Sequence, residues 1–248
     1  MRDRTFTFGL VAGALLAFTS ASAQQASPGS PARATVELFT SQGCYSCPPA
    51  DDLLRELIDR RPDVVALEFH VDYWDELVYG DEGKWRDPFS SADFTKRQRD
   101  YHAGGVEGRR GVYTPQMIVN GERALVGADR DAMALELRNA RRLPLEVRIR
   151  SQAGGLRVMV QGNGDYEGPA DIYRVDLLPS ARTPIRGGEN SGKLLENHNI
   201  VTGMEHIGRW WGASPDVRIE PPDHDATTCA VLVQEPSGLI VGAAYCPS

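Results

Sequence analysis

Cys44 and Cys47 are the residues best suited to chemistry. Cys44-Tyr45-Ser46-Cys47 is followed at once by Pro48-Pro49, and preceded by the apolar run Val36-Glu37-Leu38-Phe39 and the polar Thr40-Ser41-Gln42-Gly43. Proline is tolerated in the first turn of a helix, where the N–H it lacks would have no partner, so both sulfurs are expected at the N-terminus of a helix. Unpaired backbone N–H groups and the positive end of the helix dipole favour an anion there. A thiolate is such an anion, and it is the nucleophile of thiol–disulfide exchange. The alternative is an inert bridge that pins the turn, although closing so short a loop stabilises little.

The neighbouring segments must hold this turn. Ala34 to Phe39 reads as a strand. Pro48 to Arg60 reads as an amphipathic helix with Leu53, Leu54, Leu57 and Ile58 on one face and Asp51 and Asp52 in the first turn. Val64 to Val71 is mostly apolar and β-branched, hence a buried strand. Asp72 to Ser91 is a long connection carrying Tyr73, Trp74, Tyr79, Trp85 and Phe89, which reads as a functional or covering loop. Ser91 to His102 reads as a helix ended by Gly104-Gly105. Gln116 to Val119 and Ala124 to Val126 are strands joined at Asn120-Gly121, and Asp129 to Arg142 is a further helix. Residues 34–143 thus run β-α-β-α-β-β-α, with a right-handed parallel first crossover expected.

That order, the Cys-x-x-Cys at the first helix and Thr114-Pro115 before the third strand together resemble the thioredoxin fold. More narrowly, Leu38-Phe39-Thr40-Ser41-Gln42-Gly43-Cys44, His70-Val71-Asp72-Tyr73-Trp74 and Tyr113-Thr114-Pro115-Gln116-Met117 resemble a bacterial family of secreted thioredoxin-like proteins, itself a domain of unknown function. The resemblance implies a cis-proline at Pro115 lying against the Cys-x-x-Cys, with Thr114 facing substrate. It implies Cys44 as the attacking thiol, Cys47 as the resolving thiol, and Tyr45 and Ser46 as the pair that helps set the potential. Thioredoxins also carry a buried acid on the strand beneath the motif. Glu37 is on that strand, but its spacing to Cys44 is unusual and alternation can turn it to solvent, so a proton relay and an exposed side chain both stand as readings.

After Leu143-Pro144 the pattern changes to short alternating segments separated by turns, which reads as a small antiparallel, sandwich-like β domain over residues 144–248. Cys229 to Cys246 forms a hairpin turning at Pro236-Ser237-Gly238. If it is symmetric, the two cysteines face each other and can form a structural disulfide. His70, Asp72 and Asp75, at the end of the second strand, are candidates for substrate contact. No metal site is expected: His198, His206 and His224 are scattered, without ligand spacing. No nucleotide loop, Ser–His–Asp elbow or HExxH motif is present.

Arg2 and Arg4 precede an apolar stretch from Phe6 to Phe18 and a small-residue site at Ala21-Ser22-Ala23, so residues 1–23 read as a signal peptide and 24–33 as a flexible leader. Export to a periplasmic or extracellular, disulfide-permissive compartment follows, with no membrane anchor retained. The formal charge of −7 becomes −8 when Arg2, Asp3 and Arg4 are removed, and argues against nucleic-acid binding. The function expected is thiol–disulfide exchange through Cys44 and Cys47 with protein thiol or disulfide substrates and a redox partner protein, needing no cofactor beyond the cysteine pair. The alternative is a non-catalytic binding module, for a partner protein or a soft metal such as Cu(I).

Overall fold

In the computed structural model the described residues are 29–77, 85–162, 164, 166–213, 217–220 and 227–247. The expected signal peptide, half of the leader (24–28), Tyr79 and His224 lie outside them.

All seven residues are buried in β1 (Ala34–Thr40) and again in β2 (Val64–His70), so both faces of this pair need cover. α1 (Pro48–Arg60) connects the two strands; α2 (Trp74–Leu77) and α3 (Ala92–Ala103) follow β2. Then come β3 (Glu107–Gly108), β4 (Gln116–Val119), β5 (Arg123–Val126) and α4 (Arg130–Asn139). The second half is β6 (Leu145–Gln152), β7 (Gly155–Gly162), β8 (Ala170–Pro184), β9 (Leu194–Trp210), β10 (Val217–Ile219), β11 (Thr228–Gln234) and β12 (Ile240–Tyr245).

The architecture is mixed α/β. Nine strands form one sheet in the order β12-β11-β8-β9-β2-β1-β4-β5-β3, and β10-β7-β6 form a second. β1 and β2 are parallel, in register from Ala34 with Val64 to Thr40 with His70, and β4 runs antiparallel along the other edge of β1. On one face Val36 and Leu38 pack against Leu53, Leu54 and Leu57 of α1 and Met133 and Leu137 of α4. On the other, Phe39, Leu67 and Phe69 pack with Phe94 and Tyr101 of α3 and with Val175 and Leu232. Each such fully buried side chain contributes about 1.5–3 kcal/mol of transfer free energy.

The β4–β5 connection is the turn expected at Asn120-Gly121. Both residues have positive φ, 52° and 64°, and Val119 pairs with Arg123 across a three-residue connection. A Cβ on Gly121 would collide with the carbonyl oxygen of Gly238, so the β11–β12 turn seats directly on this glycine.

The strands after residue 143 are antiparallel among themselves, but the expectation of a small β domain merely following the first half needs correction. β8, β9, β11 and β12 continue the first-half sheet, because β9 lies alongside β2 at Glu68–Ile200. The remaining strands, β6, β7 and β10, form a facing layer, with Val147, Val158 and Ile219 packed against Ile172, Val231 and Val241. β8 and β9 also run further than the alternating segments indicated, as a hairpin of 15- and 17-residue strands. Polar residues in their far halves hid that extension.

Cys229 and Cys246 are disulfide-bonded, as the symmetric hairpin predicts. Ala230 pairs with Tyr245 and Val233 with Gly242, and the register slips by one only beyond Val233. The bridge lies in the core between the two sheets. Replacing both cysteines by alanine should lower the unfolding free energy by about 3 kcal/mol, the magnitude for a loop of this size. Urea denaturation of the double variant checks this, and an unchanged midpoint would contradict it.

Candidate functional site

α1 begins at Pro48 with Cys47 as its N-cap residue and prolines in the first turn, and Cys44 sits one tight turn earlier. The backbone N–H of Cys44 donates to the carbonyl of Ser41 (3.1 Å), and that of Cys47 to the carbonyl of Cys44 (3.2 Å). Cys44 and Cys47 are disulfide-bonded, with Cα atoms 5.4 Å apart. Both are fully buried at 0 % exposure, whereas Tyr45 between them is 65 % exposed.

Thr114–Pro115 is a cis peptide. A Cβ on Gly127 would lie 3.0 Å from the side chains of both Pro115 and Ala50, so Pro115 faces the first turn of α1 across that glycine. Thr114 does not point freely toward a substrate: its hydroxyl oxygen accepts from the Trp74 indole N–H at 2.6 Å.

Beneath the turn lies a buried charged cluster. His70, at the end of β2, contacts Asp87 through Nδ1 at 2.7 Å, and its Nε2 lies 3.6 Å from a carboxylate oxygen of Glu68. Asp87 also accepts the backbone N–H of Gln42 (2.7 Å) and of Phe89 (3.0 Å). Thr40 donates its hydroxyl to Asp51 at 2.7 Å. Glu68 accepts from Asn197 Nδ2 (2.7 Å) and from the backbone N–H of His198 (2.8 Å), and Gln42 Nε2 donates to Asn197 (3.1 Å).

These surroundings set the protonation states. Burial, then repulsion from Glu68, holds the Asp51 carboxyl well above the usual carboxylate range, against the Thr40 hydrogen bond and the nearby His70. Burial alone would pull the His70 imidazole down, but Asp87 and Glu68 outweigh it and raise it well above its ordinary value. Burial likewise works against Asp87, yet His70 and the two backbone donors bring it below the usual range.

Of the residues expected at the site, Cys44, Tyr45, Ser46, Cys47 and Pro115 come together around the first turn of α1. Glu37 does not join them, and neither reading of it holds. It is fully buried, on the opposite face of β1 from Val36 and Leu38, which carry α1. There it accepts from Arg97 at 2.6 and 3.0 Å and from the Tyr101 hydroxyl at 2.6 Å. The strict alternation of a strand turns it away from the cysteines. Asp72 and Asp75 tie the connection down instead: Asp72 accepts from Thr95, and Asp75 accepts from Ser90 and from the backbone N–H of Asp87. Phe89 stands edge-on to His70, their ring centres 5.4 Å apart. A cavity of about 580 Å³ lies elsewhere, between α3, β8, β9 and the β11–β12 turn, with Arg97, Tyr101 and Tyr173 in its wall.

Sequence reasoning missed Asp51, Glu68, Asp87 and the second-half amides. Asp51 had a signal, being four residues after Cys47 and so on the same helical face. Glu68 had another, as the one acid in an apolar strand. Asn190 and Asn197 had none.

A family profile described as "Protein of unknown function (DUF1223)" matches residues 35–234. A crystal structure of a protein from Agrobacterium tumefaciens is 31% identical, with a TM-score of 0.69, covering 90% of this chain and 96% of that one. HBP35 of Porphyromonas gingivalis is similar in fold, with a TM-score of 0.57 at 11% identity, over 88% of this chain and 76% of that one. No curated protein is a significant match.

The cluster makes stability depend on pH. Asp51 and His70 are raised in the folded state, so the stability they contribute is complete below their unfolded values and is lost as pH rises through their folded ones. Asp87 is depressed, so its contribution is present above its unfolded value and lost as pH falls through its folded one. Asp51→Asn keeps an acceptor for Thr40 and removes one titration. Above about pH 4, the unfolding free energy of the wild type should therefore fall relative to that of the variant by up to ~1.4 kcal/mol per pH unit. Urea unfolding of both proteins from pH 4 to 9 measures the difference, and parallel curves would show Asp51 ionised in the folded protein.

Proposed function

The chain belongs to the family described as Protein of unknown function (DUF1223), and we propose that it is an exported thiol–disulfide oxidoreductase whose redox centre is Cys44–Cys47. The observation that carries this reading is a disulfide closed across the N-cap of α1, where a released thiolate meets the positive end of the helix dipole. The β1–α1–β2 unit joined to β4, β5 and α4, with cis-Pro115 facing the first turn of α1, supports a thioredoxin-like fold for this half. The basic and apolar leader and the two disulfides support action after export. Among the described residues no helix is long and apolar enough to cross a membrane.

In the reduced protein the Cys44 thiolate attacks one sulfur of a substrate disulfide. The Cys44–substrate bond forms, the substrate S–S bond breaks, and the departing thiolate takes a proton. The Cys47 thiolate then attacks Cys44, closes the internal disulfide and releases the second substrate thiol. Two electrons pass to the substrate. A dithiol partner protein resupplies them, or the same steps run in reverse to oxidise a dithiol. Asp51 takes the proton role first considered for Glu37. It lies one turn beyond Cys47, where i and i+4 Cβ atoms are roughly 5–6 Å apart, and its raised affinity for a proton suits it to protonate the Cys47 sulfur when that bond opens.

A second reading is favoured by the complete burial of both sulfurs: the bridge is a structural staple in a binding module. The two readings separate in one experiment. Cys47→Ser, reduced and mixed with an unfolded disulfide-bonded protein, should accumulate a covalent adduct through Cys44, seen by non-reducing electrophoresis and mass. Cys44→Ser should form none, and should reduce the substrate no faster than dithiothreitol alone. Equal reduction by wild type and Cys44→Ser would favour the staple.

A further inference from the structure

The Cys44 turn is covered by the tip of the β8–β9 hairpin. Residues 185–193 form the tip of the β8–β9 hairpin, closed by backbone bonds between Ile185 and Lys193 and between Gly192 and Ile185, each 2.9 Å. Asn190 is fully buried there. Its Nδ2 donates to the carbonyls of Gln42 (2.8 Å) and Cys44 (2.9 Å), and its Oδ1 accepts from Lys193 Nζ (2.8 Å). Glu189 accepts the backbone N–H of Tyr45 at 2.9 Å, and the Lys193 ammonium lies 4.6 Å from the centre of the Tyr45 ring.

We propose that this tip is a cover latched by Asn190, that exchange at Cys44 takes place only when it lifts, and that the substrate is an extended polypeptide which takes its place. The substrate assignment rests on the oxidoreductase reading; the cover does not. Thiol–disulfide exchange requires direct approach of a thiolate to a sulfur, and neither sulfur is exposed while the tip is down. The contacts from Asn190, Glu189 and Lys193 are polar, so water can replace them on opening at small net cost, unlike the apolar packing below α1. What opening frees is a short row of backbone groups beside Cys44: the Gln42 carbonyl, the N–H of Tyr45 and the second lone pair of the Cys44 carbonyl, whose other partner is the Cys47 N–H. An extended polypeptide carries complementary backbone donors and acceptors, as in strand addition, whereas a small thiol does not.

The test uses the full oxidised chain after leader removal. Dithiothreitol reduction transfers two electrons and two protons, giving the Cys44 and Cys47 thiols and cyclic oxidised dithiothreitol, and is followed by alkylation and mass. Asn190→Ala removes two hydrogen bonds to the turn, so its reduction should be about ten- to hundredfold faster than that of wild type. Asn190→Asp, which keeps the shape but loses both donations, should accelerate it as well. Circular dichroism and an unchanged rate of Cys229–Cys246 reduction establish that the variants remain folded. Folded variants that both react at the wild-type rate would overturn the cover. For the substrate, a nine-residue peptide with a central cysteine is compared with N-acetylcysteine methylamide in forming the mixed disulfide with wild type. The peptide should react on the order of tenfold faster at equal thiolate concentration, from backbone pairing of this kind, and equal rates would overturn the polypeptide assignment. Faster reduction of the variants with no electron transfer to protein disulfides would leave the cover standing and remove the oxidoreductase reading.

Discussion

The arrangement depends on the need to satisfy charge buried under the Cys-x-x-Cys turn. Three carboxyl groups and an imidazole lie at the carboxyl end of β2, in α1 and in the connection after β2, each at most 6 % exposed. Buried polar groups without partners cost several times what a made hydrogen bond contributes. The chain answers with partners drawn from distant segments. Asp87 comes back from the loop after β2, held by Asp75 and Ser90, to meet His70 and the Gln42 backbone. Asn197 and the His198 backbone arrive from β9 to meet Glu68. The second half of the chain thereby becomes part of the site instead of an appendage.

The opposite face of the sheet follows the same rule with different residues. Glu37, Arg97, Tyr101 and Gln234 form a closed network among strand β1, helix α3 and strand β11. Arg97 also lies over the rings of Phe69 and Tyr101, 5.5 and 5.0 Å from their centres. Removing one member would leave the other charge buried and unpaired, so this network fixes how α3 docks. Two acids, Glu37 on β1 and the Thr40-bound Asp51 on α1, thus serve different faces of the sheet: one docks a helix and the other lies one turn beyond Cys47.

Much of the first half was legible in the sequence because short-range signals decided it. The Pro48-Pro49 start and the Asn120-Gly121 turn there, like the symmetric spacing of Cys229 and Cys246 in the closing hairpin, act within a few residues or one hairpin. In the sequence Asp51 reads as a first-turn acid serving the helix dipole, and that role and burial beside Cys47 require the same position. The placement of Glu37 turned on strand alternation, and which face carried α1 could not be read from β1 alone. The joining of β9 to β2 and the descent of Asn190 onto Gln42 and Cys44 depend on pairings across more than a hundred residues. Nothing local encodes them: an asparagine in a Gly-Gly-Glu-Asn-Ser-Gly stretch reads as an ordinary turn.

Thiol–disulfide exchange by this protein requires Cys44–Cys47 to be a working redox couple. The most direct measurement equilibrates the folded protein in a series of dithiothreitol buffers of graded potential, from both the oxidised and the reduced side, and counts alkylated cysteines by mass. One reversible two-electron transition is expected at Cys44–Cys47, the same from either side, while Cys229–Cys246 stays closed and the fold is retained. A bridge that opens only when the protein unfolds, or that fails to re-form from the reduced side, would contradict it.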